Sequence, residues 1–270
     1  MKKQSHLLRS AVLTLTANFA CILSAGAATL LSTDFSGTSL DSRLQQTFTT
    51  TGGYTLGGTA VFSGGRNYVG TVETDYAVAN YSWTATIDVQ HTNFASNQLF
   101  FGLGTGTTGT NMGASPFGEP QGTTAGQAAN FFSLQNTASS RSLITISKAA
   151  SQAYFAGQQD FSDTQFNTLL GITGGVQNGG YYRYFLDYNH LTNELTFSMS
   201  TLTSFGGTAG TKTAFRTVSL AGDGYDATNG RIFFGGDGNS TFDNFSIVPE
   251  PASGVLGLVG VSLICLRRRR

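Results

Sequence analysis

The chain has 270 residues, a formal net charge of zero at pH 7, 11% charged residues, 35 glycines and two cysteines. No basic surplus is available to hold nucleic acid, and two cysteines cannot frame a disulfide scaffold. Sparse charge with abundant glycine, threonine and serine favours short strands joined by turns over helices.

The neutrality hides an uneven distribution. Lys2, Lys3, Arg9 and Arg267–Arg270 are seven of the fifteen basic residues, so residues 28–249 carry eight basic and fourteen acidic side chains, a formal charge of −6. Lys2, Lys3 and Arg9 precede the mostly apolar stretch Ala11–Leu23 and the small residues Ala25-Gly26-Ala27. That order predicts a signal peptide over residues 1–27 that enters as a helix, with the mature chain beginning at Ala28. Cys21 follows Asn18-Phe19-Ala20, which lacks the leucine and small residues of an acylation site, and Cys265 lies near the other end. The exported domain thus has no thiol chemistry.

Between the termini, Tyr81–Gln90 gives the clearest strand: Tyr81, Trp83, Ala85, Ile87 and Val89 alternate with Ser82, Thr84, Thr86, Asp88 and Gln90. Alternation of this kind predicts one buried and one wet face. Further strands are expected at Leu30–Phe35, Thr47–Thr50, Ala60–Ser63, Tyr68–Val72, Gln98–Leu103, Asn130–Gln135, Leu143–Lys148, Tyr182–Tyr188, Leu195–Ser200, Arg216–Leu220, Arg231–Phe234 and Thr241–Val248. About a dozen short strands with glycine-rich turns make a sandwich or barrel. Asn189-His190-Leu191-Thr192-Asn193 suits the turn of a long hairpin. One short helix is expected after Ser162, with Gln165 completing a capping box, Phe161 and Phe166 a hydrophobic staple, and Gly171 ending it.

The C-terminal segment has a separate logic. Val248-Pro249-Glu250-Pro251 leads into a mostly apolar run of fifteen residues, Ala252–Leu266, which stops against Arg267–Arg270. Pro251 suits the first turn of a helix, and Glu250 suits the positive end of its dipole. Fifteen helical residues span about 22 Å at about 1.5 Å each, short of a hydrocarbon core of about 30 Å, but arginine snorkelling and bilayer thinning accommodate such a span. The arginines then stay on the cytoplasmic side.

Pro249-Glu250-Pro251, the apolar run with Gly254, Gly257 and Gly260, and the terminal arginines resemble a PEP-CTERM sorting signal. The resemblance implies a bacterial envelope protein whose tail is handled by an exosortase-type machinery. A second resemblance spans the mature domain. Thr33-Asp34-Phe35-Ser36-Gly37 with Leu40-Asp41, the Tyr182–Ser200 hairpin, and Phe233-Phe234-Gly235-Gly236 followed by Phe242-Asp243-Asn244-Phe245 resemble concanavalin A-like jelly rolls of the laminin-G type. The resemblance implies that first and last strands pair, bringing Asp34 near Asp243, and that the module binds or hydrolyses glycans.

Hydrolases of that fold carry Glu-x-Asp-x-x-Glu on one strand face, because glycoside hydrolysis needs facing carboxylates. Here only Glu73-Thr74-Asp75 is present, followed by Tyr76-Ala77-Val78, and solvated strand-end charges are the plainer reading. Glu119 and Glu194 lie in a loop and beside a turn without an obvious partner. There is no Gly-x-Ser-x-Gly elbow and no His-Glu-x-x-His, and His91 and His190 sit beside strand ends or turns. Gly102-Leu103-Gly104-Thr105-Gly106 follows a strand without a helix after it, so its glycines read as turn residues rather than a phosphate loop. Of the possible ligands calcium has the best case: Asp223, Asp226, Asp237, Asn239 and Asp243 crowd two glycine-rich turns, and the jelly-roll resemblance alone suggests Asp243 and Asp34 as alternative ligands. Such residues also serve turns in their own right. The segment Gly102–Gly126, with Phe117, is the expected working surface or else a mobile loop.

These features predict an all-β, concanavalin A-like jelly-roll sandwich over residues 28–247, between a signal peptide at 1–27 and a sorting signal with a short transmembrane helix at 248–270. They predict an exported cell-envelope or extracellular-matrix protein, anchored in the membrane at least transiently. Its partners are the processing machinery, the membrane through the C-terminal helix, and polysaccharide, with nucleic acid excluded. The expected function is a non-catalytic carbohydrate-binding or structural module, the alternative being a glycoside hydrolase, and no catalytic, cofactor-binding or metal residue is assigned.

Overall fold

The computed structural model describes residues 29–49, 52–65, 67–73, 75–76, 79–90, 99–105, 129–137, 140–146, 159–173, 179–220, 230–236 and 240–250. The expected signal peptide, the apolar tail, His91, Glu119, Phe117, Asp223, Asp226, Asp237 and Asn239 lie outside them. Among the described residues no helix is long and apolar enough to cross a membrane.

Two antiparallel sheets face each other. Sheet A is ordered β13(Thr213–Ser219), β12(Glu194–Leu202), β11(Tyr181–Asn189), β6(Trp83–Gln90), β15(Ser240–Pro249), β4(Ala60–Gly64) and β3(Gly52–Leu56), with β1(Leu31–Thr33) also on β15. Sheet B is ordered β10(Gln159–Ser162), β9(Ser140–Ile146), β8(Ala129–Thr137), β7(Leu99–Thr105), β14(Gly230–Gly236), β5(Asn67–Thr71) and β2(Leu44–Thr49). First and last strands pair as expected, Leu31 opposite Ile247 and Thr33 opposite Phe245. The last strand reaches Pro249, opposite Trp83, so the first residues of the Pro-Glu-Pro segment belong to sheet A.

The alternation of apolar residues builds the core directly. Trp83, Ala85, Ile87 and Val89 of β6 and Tyr182, Tyr184, Leu186 and Tyr188 of β11 point inward and are buried. From sheet B, Val69, Phe101, Leu103, Ile232 and Phe234 answer them. Phe234 lies at the centre, with ring centroids 5.2–6.0 Å from Phe35, Phe62, Phe242 and Phe245 in tilted or edge-on arrangements. Each such ring pair adds about 0.5–1.5 kcal/mol beyond burial.

Local signals are realised locally. Ser162 caps the single described helix, α1(Asp163–Leu170): its Oγ accepts from the Gln165 N–H, while the Ser162 N–H donates to Gln165 Oε1 at 2.8 Å. Gly171 closes the helix in the left-handed conformation at φ 63°. The Phe161 side chain of the expected staple lies outside the described residues. The long hairpin turns at His190–Asn193, where Asn193 takes φ 53° and the Leu191 N–H donates to Asn189 Oδ1.

Two expectations are corrected. Gly102–Thr105 does not open a loop: β7 continues through it, pairing with β8 and β14, and Leu103 is a core residue. Glu73 and Asp75 are exposed, as the reading of solvated charges has it: the strand from Tyr68 stops at Thr71, so they share no strand face, and Asp75 makes only an isolated bridge to Gly230. The second face of β6 is not uniformly wet, since Asp88 is fully buried there. Strands β3 and β10 are additions that the sequence pattern does not announce.

Candidate functional site

The outer face of sheet A carries the densest chemistry among the described residues. Register places Asp88 of β6 directly opposite Arg183 of β11 and Asp243 of β15. Arg183 grips Asp88 with two parallel hydrogen bonds, Nε to Oδ1 at 2.6 Å and one terminal nitrogen to Oδ2 at 2.9 Å. Such forked pairs are the strong ones. The same Oδ2 accepts from the Gly206 N–H at 2.9 Å and from Asn244 Nδ2 at 3.1 Å. The hydrogen bond to Asp88 keeps the Arg183 guanidinium firmly charged.

A bulge in β15 makes this possible. The β6–β15 register shifts between Asp243 and Ser246, and Asn244 takes φ 49°. Bulges re-aim side chains, and asparagine tolerates the left-handed region better than most residues. Asn244 then donates from Nδ2 to both Asp88 and Asp243, and its N–H donates to Asp243 Oδ1 at 2.7 Å. Asp243 itself is buried, and burial, with the charges of Asp88 and Asp34 beside it, pushes its carboxyl up to about 6. The bulge falls in the gap on that edge of β15 between β4, which ends its pairing at Phe242, and β1, which begins at Phe245. Asp34 follows β1 into this gap. It is exposed, and hydrogen bonds from Ser36 hold its carboxyl below the usual range.

Beside this network runs a strip along β11. Tyr181, Arg183, Phe185 and Asp187 alternate outward, each half-buried. Tyr181 meets Phe205 edge-on at 5.0 Å, and the Lys212 ammonium sits 4.6 Å from the Phe185 ring centroid while pairing with Asp187 at 2.6 Å. Thr84 and Ser198 also donate to Asp187. Thus residues 203–212, connecting β12 to β13, fold back over sheet A through Phe205, Gly206 and Lys212.

The outer face of sheet B differs. Tyr68, Phe100 and Phe233 point away from the sandwich interior yet are buried, Tyr68 lying 5.4 Å from Phe100 and 6.1 Å from Phe233. Their cross-strand neighbours are glycines: Phe233 stands between Gly70 and Gly102, and Gly235 stands between Tyr68 and Phe100. A β-carbon on Gly235 would lie 2.0 Å from the Asn67 carbonyl oxygen, so only glycine fits.

The structure draws Asp34 and Asp243 together as the jelly-roll resemblance implied, and it joins neither to Glu73 or Asp75. His190 sits in the hairpin turn with Nδ1 3.1 Å from Ser82 Oγ, and Glu194 accepts from Thr192. Among the described residues no group of three or more His, Cys, Asp or Glu could hold a metal ion. Sequence reasoning missed Asp88, Arg183, Asn244 and Gly206. The signal was present as two opposite charges, Asp88 and Arg183, each centred in a strand whose outward neighbours are mostly uncharged.

No protein-family model matches the sequence, and no curated protein matches it. Solved structures do match. Lectin II from Ulex europaeus is similar over 83% of this chain and 100% of that chain, with TM-score 0.53 and 12% identity. Winged bean acidic lectin, solved with methyl-α-D-galactose, covers 82% of this chain and 98% of its own with TM-score 0.52 and 12% identity. The carbohydrate recognition domain of Emp46p in metal-free form covers 82% and 95%, with TM-score 0.50 and 11% identity. At this identity the likeness is one of fold, and the chain is an all-β, two-sheet sandwich with the concanavalin A-like jelly roll of the legume lectins.

Proposed function

We propose that this chain is an exported, non-catalytic carbohydrate-binding module, delivered and anchored by its PEP-CTERM-like tail and acting on polysaccharide of the cell envelope or extracellular matrix. The observation that carries the reading is the β11 strip: half-buried Tyr181 and Phe185, flanked by the Arg183–Asp88 and Asp187–Lys212 pairs, in a fold shared with lectins. Sugars are bound by apolar ring faces combined with a few oriented polar groups, and the strip offers both side by side. Against the hydrolase alternative, Glu73 and Asp75 stand exposed off the strand, and Asp88 is fully committed to Arg183, Asn244 and Gly206. Fold alone does not assign activity, so the site must carry the test.

The test is retention of the full chain, in a non-glycosidic detergent, on a panel of bacterial and plant polysaccharides. Binding to at least one glycan without release of reducing ends is expected, with retention lowered at least tenfold by Tyr181→Ala or Phe185→Ala. Retention by neither the parent nor any variant sinks the reading. Release of reducing ends would return the hydrolase to the front.

A further inference from the structure

The exposed large hydrophobic side chains among the described residues are Val72, Leu191 and Val248, at 44%, 83% and 36% exposure. They come from three separate segments, and hydrogen bonds trace all three to one end of the sandwich. The Val72 N–H donates to the Arg43 carbonyl at 2.8 Å, Arg43 donates from its guanidinium to the Leu30 carbonyl, and the Leu30 N–H donates to the Ile247 carbonyl at 2.9 Å, next to Val248. Leu191 tips the β11–β12 hairpin, where His190 meets Ser82, and the Ser82 carbonyl accepts the Glu250 N–H at 2.8 Å. This is also the end from which the chain leaves the domain. The bond to Ser82 is what holds Glu250 there, since the Thr84 hydroxyl, 3.2 Å from its Oε1, gives its single proton to Asp187 at 2.7 Å.

One residue, Pro251, separates Glu250 from the apolar run Ala252–Leu266. At no more than about 3.6 Å per residue, Ala252 lies within about 7 Å of the docked Glu250. A tail inserted in a bilayer therefore has no linker that would let the domain stand away from the surface. We propose that the end bearing Val72, Leu191 and Val248 rests on the lipid surface, with Leu191 in the interfacial layer, so that both sheets stand upright and the β11 strip on the outer face of sheet A stays open to ligand. The proposal rests on the reading of the tail as membrane-inserted. Charge decides which lipid suits it. The described residues of this end carry Asp41, Glu73, Asp75, Glu194 and Glu250 against Arg43 and Arg231, so the contact is with neutral headgroups and owes nothing to anionic lipid.

The experiment uses residues 28–270, the chain left after its expected signal peptide, with Cys265 changed to Ser, reconstituted in phosphatidylcholine vesicles, with an environment-sensitive fluorophore on Leu191→Cys, on Val72→Cys, or on Ser63→Cys. Ser63 is exposed and lies at the opposite end, paired with Gly53. Brominated acyl chains should quench the probes at 191 and 72 at least threefold more than the probe at 63. Vesicle flotation reads the tail independently. A chain that floats while all three probes are quenched alike, or not at all, overturns the proposal and leaves the tail reading intact. A chain that does not float overturns the tail reading and the proposal with it. Probes at 191 and 72 that are already blue-shifted without vesicles and insensitive to brominated lipid would place the apolar segment back over the patch, which also overturns it. The second label position keeps the result decisive if one variant fails to fold.

Discussion

Sheets A and B both bury side chains on the faces turned away from the sandwich interior, and they do so by opposite means. On sheet A the buried group is a carboxylate, Asp88, made tolerable by a forked arginine, a backbone N–H from residues 203–212 and an asparagine at a bulge. On sheet B the buried groups are rings, Tyr68, Phe100 and Phe233, made tolerable by the cross-strand glycines Gly70, Gly102 and Gly235. The first solution depends on hydrogen-bond completeness and the second on the absence of β-carbons. A charge can be replaced together with its partner, whereas a missing β-carbon has no substitute. That difference ranks the expected effects.

The largest belongs to sheet B. Gly235→Ala sets a β-carbon against the Asn67 carbonyl oxygen and the Tyr68 Cα, both backbone-fixed atoms, so β14 and β5 must part. A loss of about 4 kcal/mol or more is expected, the range reserved for core or backbone disruption. Denaturant unfolding of the variant measures it. A loss under about 1 kcal/mol would mean that the two strands separate freely and that sheet B does not depend on its missing β-carbons.

Next comes Asp88→Asn. It leaves the Arg183 guanidinium, which retains 26% side-chain exposure, without its counter-charge. Breaking a buried ion pair from one side costs about 3–5 kcal/mol, and the partial exposure of Arg183 brings the expectation to about 2–3 kcal/mol. The double variant Asp88→Leu with Arg183→Met sharpens the contrast. It should recover part of that loss, because apolar replacement of a buried pair is often neutral, while the Gly206 N–H and Asn244 Nδ2 lose their acceptor and keep the recovery incomplete. If the double variant is worse than Asp88→Asn, the network is irreplaceable too, and the two faces are alike in tolerating no exchange.

The same contrast explains what could be read from the sequence. Period-two alternation gave β6, β11 and β12 because each carries inward apolar residues at every second position, and the capping box at Ser162–Gln165 and the left-handed Gly171 were legible because their partners are three and four residues away. Strand β3 was hidden by Gly52 and Gly53, which read as a turn; its exposed edge position removes the alternation that would have marked it. The glycines of β7 misled for the same reason: a strand glycine facing an aromatic neighbour looks like a loop until the register with Phe233 is known. The two charges of the Asp88 network were visible in the sequence, but their pairing and their other partners were not. Arg183, Gly206 and Asn244 lie 95, 118 and 156 residues away from Asp88, and only register and a bulge bring them together.

The smallest effect is carried by Asp243, which lies between the two solutions: a buried carboxylate without an arginine of its own. Its neighbours are Asp88 on β6, already paired with Arg183, exposed Asp34 after β1, and Asn244. With its folded value near 6 against an ordinary 3.8, folding takes up a proton between about pH 4 and 6. Stability from this group is present below about pH 4 and lost as pH rises through about 6, the reverse of a salt-bridged aspartate. A rise of that size corresponds to about 3 kcal/mol at most, and screening by nearby solvent reduces the expectation to about 1–2 kcal/mol. Asp243→Asn should therefore stabilise the domain at pH 7.5 by about that amount and flatten the stability profile between pH 4 and 6. Calcium bound between Asp34 and Asp243 would favour the ionised carboxylate and must do the same to the parent chain without any substitution, raising its midpoint at pH 7.5 and leaving Asp243→Asn unmoved. A parent indifferent to calcium and chelator would leave the buried charge as a pure cost of the β15 bulge, retained for the hydrogen bonds by which Asp243 holds Asn244 on Asp88.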